Sequence, residues 1–193
     1  MNEKYQAMLH RAERGELSEA EIDMVAQELQ KVKPEANPYT LLHILGESGA
    51  KSYQGLVEQF LESQANPSLA ALALQILCTY WGETSQYTGQ VLQFLRGVPW
   101  DRTEDCRLMA ASVAGEHLRT HLEPDLLREL LRIYEDAAER QILREAAYLS
   151  LARAIGRAYR AIPSAAHEFD LVADIDPAVI QEAKTRLAGT GNR

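Results

Sequence analysis

Residues 53–61 read YQGLVEQFL and residues 87–95 read YTGQVLQFL. The stretches lie 34 positions apart, and six of the nine positions match: Tyr53/Tyr87, Gly55/Gly89, Val57/Val91, Gln59/Gln93, Phe60/Phe94 and Leu61/Leu95. Self-similarity at a period of about 20 to 50 residues marks a chain built from repeated supersecondary units. One such unit cannot hide its apolar face alone, so neighbouring units must stack to bury it.

Helical punctuation runs along the rest of the chain. Tyr5, Met8, Leu9 and Ala12 share one face of a helix over 2–14, stopped by Gly15. Ser18 and Glu21 form an S-x-x-E capping box opening a second helix, ended by Pro34. Asn37-Pro38 and Asn66-Pro67 repeat one start signal, an N-cap before a first-turn proline. The helix after Asn66 runs to Trp81, and Tyr53–Ser63 and Thr84–Arg96 are the partner helices. Asp101 opens a third pair, with Arg107–Ala114 and Pro124–Asp136 as its helices. A fourth unit starts near Ala137, and its Arg144 helix extends to Tyr159. Asp176-Pro177 caps a last helix ending near Leu187. With few aromatics and abundant Ala and Leu, all of this reads as all-α. The expected organisation is a capping pair (1–36), a repeat array (37–160) and a C-terminal capping helix and tail (161–193), one structural domain overall.

Helix pairs of 29 to 36 residues with Leu/Ala stripes resemble HEAT-like repeats. The residues that carry the resemblance are Asn37-Pro38 with Leu42, Leu45 and Gly46; Asn66-Pro67 with Leu74 and Leu77; Arg107 with Ala110, Ala111 and Val113; and Arg144 with Ala146, Ala147 and Leu149. The arginine is confined to the last two units, and no unit keeps the family's Asp/Val/Arg run. The resemblance implies a short right-handed α-solenoid of about four helix pairs, with second helices lining the concave side, and a family that mostly binds proteins.

Helical phase places that surface. With Tyr53, Leu56, Val57 and Phe60 in the core, positions 58, 59 and 62 point away from it. The ridge is therefore Glu58, Gln59 and Glu62, then Leu92, Gln93 and Arg96, then Arg128, Glu129 and Arg132. It begins acidic and turns basic. The same pattern also describes an ordinary solvated helix face.

The formal charge is -8 with a pI near 5.2. That field disfavours nucleic acid and favours a basic protein partner. A narrower form of this reading, by analogy of size and charge, is an acidic inhibitor or immunity protein that neutralises a basic toxin. The alternative is a HEAT-like DNA-binding or DNA-repair glycosylase-type protein, which the acidic first half of the ridge opposes. Cys78 and Cys106 stand outside any C-x-x-C, and no apolar leader or membrane-length run is present; both point to the cytoplasm. His117 and His121 stand at i,i+4, but the zincin glutamate position holds Leu118 and a third ligand would have to come from afar, such as His167. No metal or cofactor is assigned, and no nucleophile–base set or phosphate loop is visible, so no enzyme activity is assigned. Arg153, Arg157 and Arg160 form an i, i+4, i+7 stripe suited to phosphate or an acidic partner, or to the helix dipole. Trp81, Trp100 and Tyr134 lie at helix ends, as interface anchors or as covers of the core edge.

Overall fold

A computed structural model describes residues 3–31, 38–157 and 174–189. Every regular element among them is helical, and none is a strand. In order they are α1 (Glu3–Glu13), α2 (Glu19–Lys31), α3 (Tyr39–Glu47), α4 (Gln54–Glu58), α5 (Pro67–Gln75), α6 (Thr88–Arg96), α7 (Asp105–His117), α8 (Pro124–Glu135), α9 (Gln141–Ala154) and α10 (Pro177–Ala188). The chain forms two compact units, Met1–Tyr87 and Thr88–Arg193.

In the first unit, α1 and α2 pack on α3, and α3 packs on α5. The capping box forms as read: Ser18 N donates to Glu21 Oε2 at 3.0 Å, and Glu21 N donates to Ser18 Oγ at 3.4 Å. Arg11 reinforces it from α1, at 2.6 Å from Glu21 Oε1, and holds the Glu21 carboxyl down at about 2. Asn66 sits at the N-cap of α5 with Pro67 in the first turn, but its side chain makes no cap hydrogen bond. The other Asn-Pro start has Asn37 outside the described residues.

The helix of 67–81 ends in a π-helical turn, Ile76–Tyr80, which widens the helix by one residue per turn. Gly46 makes room for it: a Cβ there would meet Ile76 Cγ1 at 2.5 Å and Tyr80 Cδ2 at 3.0 Å. Trp81 is buried against the same point, its indole Nε1 donating to the Gly46 carbonyl at 3.2 Å. Thr84 Oγ1 donates to the Cys78 carbonyl at 3.0 Å, satisfying a carbonyl of the widened turn.

The matched stretches are both helical, with one difference. Tyr53 ends a 3-10 turn (Lys51–Tyr53) at φ -99°, ψ 17°, and Tyr87 follows another (Thr84–Gln86) at φ -111°, ψ 13°. After that, 88–96 is continuous α-helix, whereas 54–62 tightens to a 3-10 turn at Gln59–Glu62. A 3-10 turn advances each side chain by a larger angle than an α-turn, so the apolar phase drifts. Phe94 is accordingly buried, while its match Phe60 is only partly so.

In the second unit, α7 packs on α6 and α9, and α8 packs on α9, α6 and α10. Helix α7 is small-sided, with Ala110, Ala111, Ala114 and Gly115 all buried. A Cβ on Gly115 would meet the Ser150 backbone of α9 at 2.7 Å, so the close helix crossing requires glycine. The buried Asp101 caps α7 as expected: its carboxylate accepts from Asp105 N at 3.1 Å and Cys106 N at 2.9 Å. Asp176 caps α10, accepting from Ala178 N at 2.9 Å. The fourth-unit helix does not extend to Tyr159. It ends at Ala154, where Gly156 takes φ +77° and Arg157 N turns back to the Ala152 carbonyl at 3.1 Å.

Candidate partner-binding surface

On the first unit, Gln59 and Glu62 are exposed and Glu58 is partly exposed. Glu58 is tied down by Tyr87, whose hydroxyl donates to Glu58 Oε1 at 2.5 Å while Gln54 Nε2 donates to Tyr87 Oη at 2.6 Å. The matched Tyr53 does the same one helix pair earlier, donating to Asp23 Oδ1 at 2.6 Å. The two matched tyrosines thus share a bonding pattern: each holds a carboxylate 30 or 29 positions back in the chain. Burial, then Glu58, pushes the Tyr87 phenol up to about 12. The hydrogen bond to Asp23 raises Tyr53. Both remain donors at ordinary pH. His43 Nε2 lies 3.3 Å from Glu47 Oε1, and His10 Nδ1 lies 3.2 Å from Glu13 Oε2. Four carboxylates of this unit are thus held by tyrosine or histidine rather than by lysine or arginine.

The second unit is organised differently. Gln93, Arg96, Arg128 and Arg132 are exposed, but Glu129 is only 8% exposed. Arg132 Nε lies 2.7 Å from one Glu129 oxygen, and Arg96 Nε lies 3.8 Å from the other. Arg132 also reaches Glu139 at 3.2 Å and Asp136 at 3.5 Å, and Glu129 holds its guanidinium above the usual range. Arg128 pairs with Asp125. Beneath them Arg107, its side chain 11% exposed, forks onto Glu139 at 2.9 and 2.7 Å and reaches Glu104 at 3.2 Å, holding the Glu139 carboxyl below its usual range. Arg140 pairs with the other Glu104 oxygen at 3.0 Å, without the alignment of a hydrogen bond. Glu104 adopts φ +64°, the left-handed region that is costly for a non-glycine residue. The basic end of the ridge is thus balanced by acids from the turns before α7 and α9, which helical phase does not bring in.

The arginines singled out in the repeat do have matched partners. Arg107 Nε donates to the Leu95 carbonyl at 3.2 Å, and Arg144 Nε donates to the Tyr134 carbonyl at 3.0 Å. Each carbonyl belongs to the residue before last of α6 or α8, where unpaired backbone acceptors and the dipole favour a cation.

The other sequence candidates separate. Arg153 and Arg157 do not share a helix face, because α9 ends between them. Arg153 reaches Ser112 Oγ at 3.3 Å, Arg157 pairs with Asp176, and Arg160 lies outside the described residues. The His117 and His121 rings stack, centroids 4.5 Å apart and 2° from parallel, an arrangement that does not converge their nitrogens on one ion. His117 Nε2 is buried without a hydrogen-bond partner, and His167 lies outside the described residues. Among the described residues no group of three or more His, Cys, Asp or Glu is arranged to hold a metal, and no helix is long and apolar enough to cross a membrane. Trp100 packs edge-on against Phe94, with ring centroids 5.9 Å apart, and Tyr134 lies against Tyr148 at the same separation. Cys78 and Cys106 are buried free thiols, and burial pushes Cys78 up to about 12.

No protein-family model matches the chain, and comparison with curated proteins and with solved structures returned no significant match.

Proposed function

We propose that this chain is a non-enzymatic protein-binding module, a short HEAT-like solenoid whose second helices engage a basic protein. Residues 1–36 cap the array, and the ridge of Glu58, Gln59, Glu62, Gln93, Arg96, Arg128, Glu129 and Arg132 supplies the contact surface. One observation carries the reading. In the first unit Asp23 and Glu58 are positioned by neutral tyrosine hydroxyls, so they are oriented while their charge stays uncompensated. Residues 1–87 hold 6 basic and 12 acidic side chains, against 14 and 16 in residues 88–193. Most of the chain's negative field thus arises from one unit. Such a field steers a basic partner and raises its association rate. In its narrowest form the partner is a basic toxic enzyme that this protein neutralises.

Affinity capture from the source cell, with the full chain as bait, tests the reading. The expected result is one stoichiometric protein, lost in Gln59→Lys/Glu62→Lys at unchanged far-ultraviolet dichroism, with an association rate that falls as salt rises. Equal retention by that variant, or salt-sensitive retention of duplex DNA in place of any protein, overturns it.

A further inference from the structure

A second feature of the first unit lies on its first helices. Helix α3 carries Tyr39, His43 and Glu47 at i, i+4 and i+8, along one face. The π-helical turn brings Tyr80 onto that face, and the missing side chain of Gly46 lets it approach. The three rings form a cluster. Tyr39 meets His43 edge-on, centroids 6.1 Å apart at 74°, and His43 lies parallel to Tyr80 at 6.1 Å and 15°. Tyr39 is 39% exposed, one of the few large apolar side chains so open among the described residues.

One carboxylate touches the rings and a second lies farther off. Glu47 contacts His43, and Glu13 of α1 is near enough to act electrostatically on Tyr80. Among the described residues neither forms an ion pair with a lysine or arginine; their ion-pair partners are His43 and His10. Burial, then Glu47, pushes the Tyr80 phenol up to about 12, so its ring stays neutral. Aromatic faces attract a cation through the ring quadrupole, and a planar guanidinium both stacks on rings and pairs with a carboxylate. Lysine offers a point charge without the plane.

We infer that the Tyr39–His43–Tyr80 ring cluster, with Glu47, is a binding site for an arginine side chain of the protein partner. The charge excess of residues 1–87 favours a cationic occupant, and the parallel rings favour a flat one. The site rests on the reading of the chain as a binder of a basic protein, and adds a specificity element on a different helix set from the ridge.

The test is an aromatic carbon–proton NMR titration of the full chain with N-acetyl-arginine methylamide, and with the citrulline analogue, which keeps the shape and lacks the charge. The expected result is saturable shifts of the Tyr39, His43 and Tyr80 rings with the arginine probe alone. Tyr39→Leu should weaken binding about threefold, from the usual worth of an exposed cation–π contact. Glu47→Gln should weaken it further, with the backbone spectrum of both variants preserved. Equal response to citrulline, or a response untouched by both substitutions, overturns the site. Capture separates it from the ridge reading: a partner kept by Tyr39→Leu/Glu47→Gln but lost from Gln59→Lys/Glu62→Lys removes the arginine site and leaves the ridge. A specific arginine response, with a captured partner lost from Tyr39→Leu/Glu47→Gln but kept by Gln59→Lys/Glu62→Lys, keeps the site and removes the ridge.

Discussion

Arg107 donates to both oxygens of Glu139, at 2.9 and 2.7 Å, while its Nε donates to the Leu95 carbonyl at 3.2 Å. One side chain therefore joins the end of α6, the start of α7 and the turn before α9. The alkyl part of Arg107 passes Gly97, which stands at φ +93° with Arg107 Cδ 3.5 Å from where a Cβ would lie.

Removing that guanidinium leaves Glu139 and Glu104 partly buried without their main cation. We expect Arg107→Ala to cost about 3 kcal/mol, the usual penalty for stripping one partner from a buried pair. Arg107→Lys should recover only part of it, because lysine has no fork. Urea unfolding monitored by far-ultraviolet dichroism measures both. A loss below about 1 kcal/mol for the alanine variant would mean that the pair behaves as a surface one.

The glycines divide into two groups. Gly115→Ala drives a methyl into the Ser150 backbone and should cost about 1–3 kcal/mol. Gly46→Ala meets the Ile76 side chain at 2.5 Å and should also destabilise, with loss of the Trp81 fluorescence signature if the π-turn shifts. Gly55 and Gly89 have open space where a Cβ would stand. Alanine there should be neutral or stabilising by up to about 1 kcal/mol. Thermal midpoints of the four variants check the ordering. Packing does not explain why both matched stretches carry glycine at this position.

His117 is held below the ordinary histidine range, by burial first and then by His121, with Glu123 acting weakly in the opposite sense. Its folded form resists protonation, so the unfolded chain binds that proton more readily. The resulting stability is full above about pH 6.5 and falls as pH drops below it. Urea midpoints between about pH 7 and pH 5 should decline, and His117→Gln should flatten the decline. An unchanged slope in that variant would assign the pH dependence elsewhere.

Asp101 accepts backbone hydrogen bonds at the start of α7 while almost wholly buried. Asp101→Ala removes the cap and should cost about 2 kcal/mol, at the upper end for helix caps. Amide hydrogen exchange should then speed up at Asp105 and Cys106 before it does in α8. Uniform exchange across the unit would instead mean that the whole unit opens together.

Local signals carried far in this chain. Ser18 and Glu21, Asp101, and Asp176 with Pro177 each announce a helix start, because a cap involves only residues a few positions apart. Tyr53 and Tyr87, matched in sequence, each donate to a carboxylate about 30 positions back, a relationship that the letters do not show. The stop that Gly156 sets just past α9 is also written in the sequence, but Ala158 and Tyr159 continue the apolar pattern beyond it. Charge was legible only as a sum. Helical phase grades the ridge from Glu58 to Arg132, yet Glu129 turns inward beneath Arg96 and Arg132.

The amino-acid order alone determined that this chain is helical and where most of its helices begin. These follow from periodicity and capping, whose range is a single turn. Tertiary structure decided which charges cancel, since Arg107 and Glu139 meet across 32 positions and no local rule selects such a partner. It also decided the ring cluster at Tyr39, His43 and Tyr80, because that depends on a widened turn fitting against a glycine on another helix.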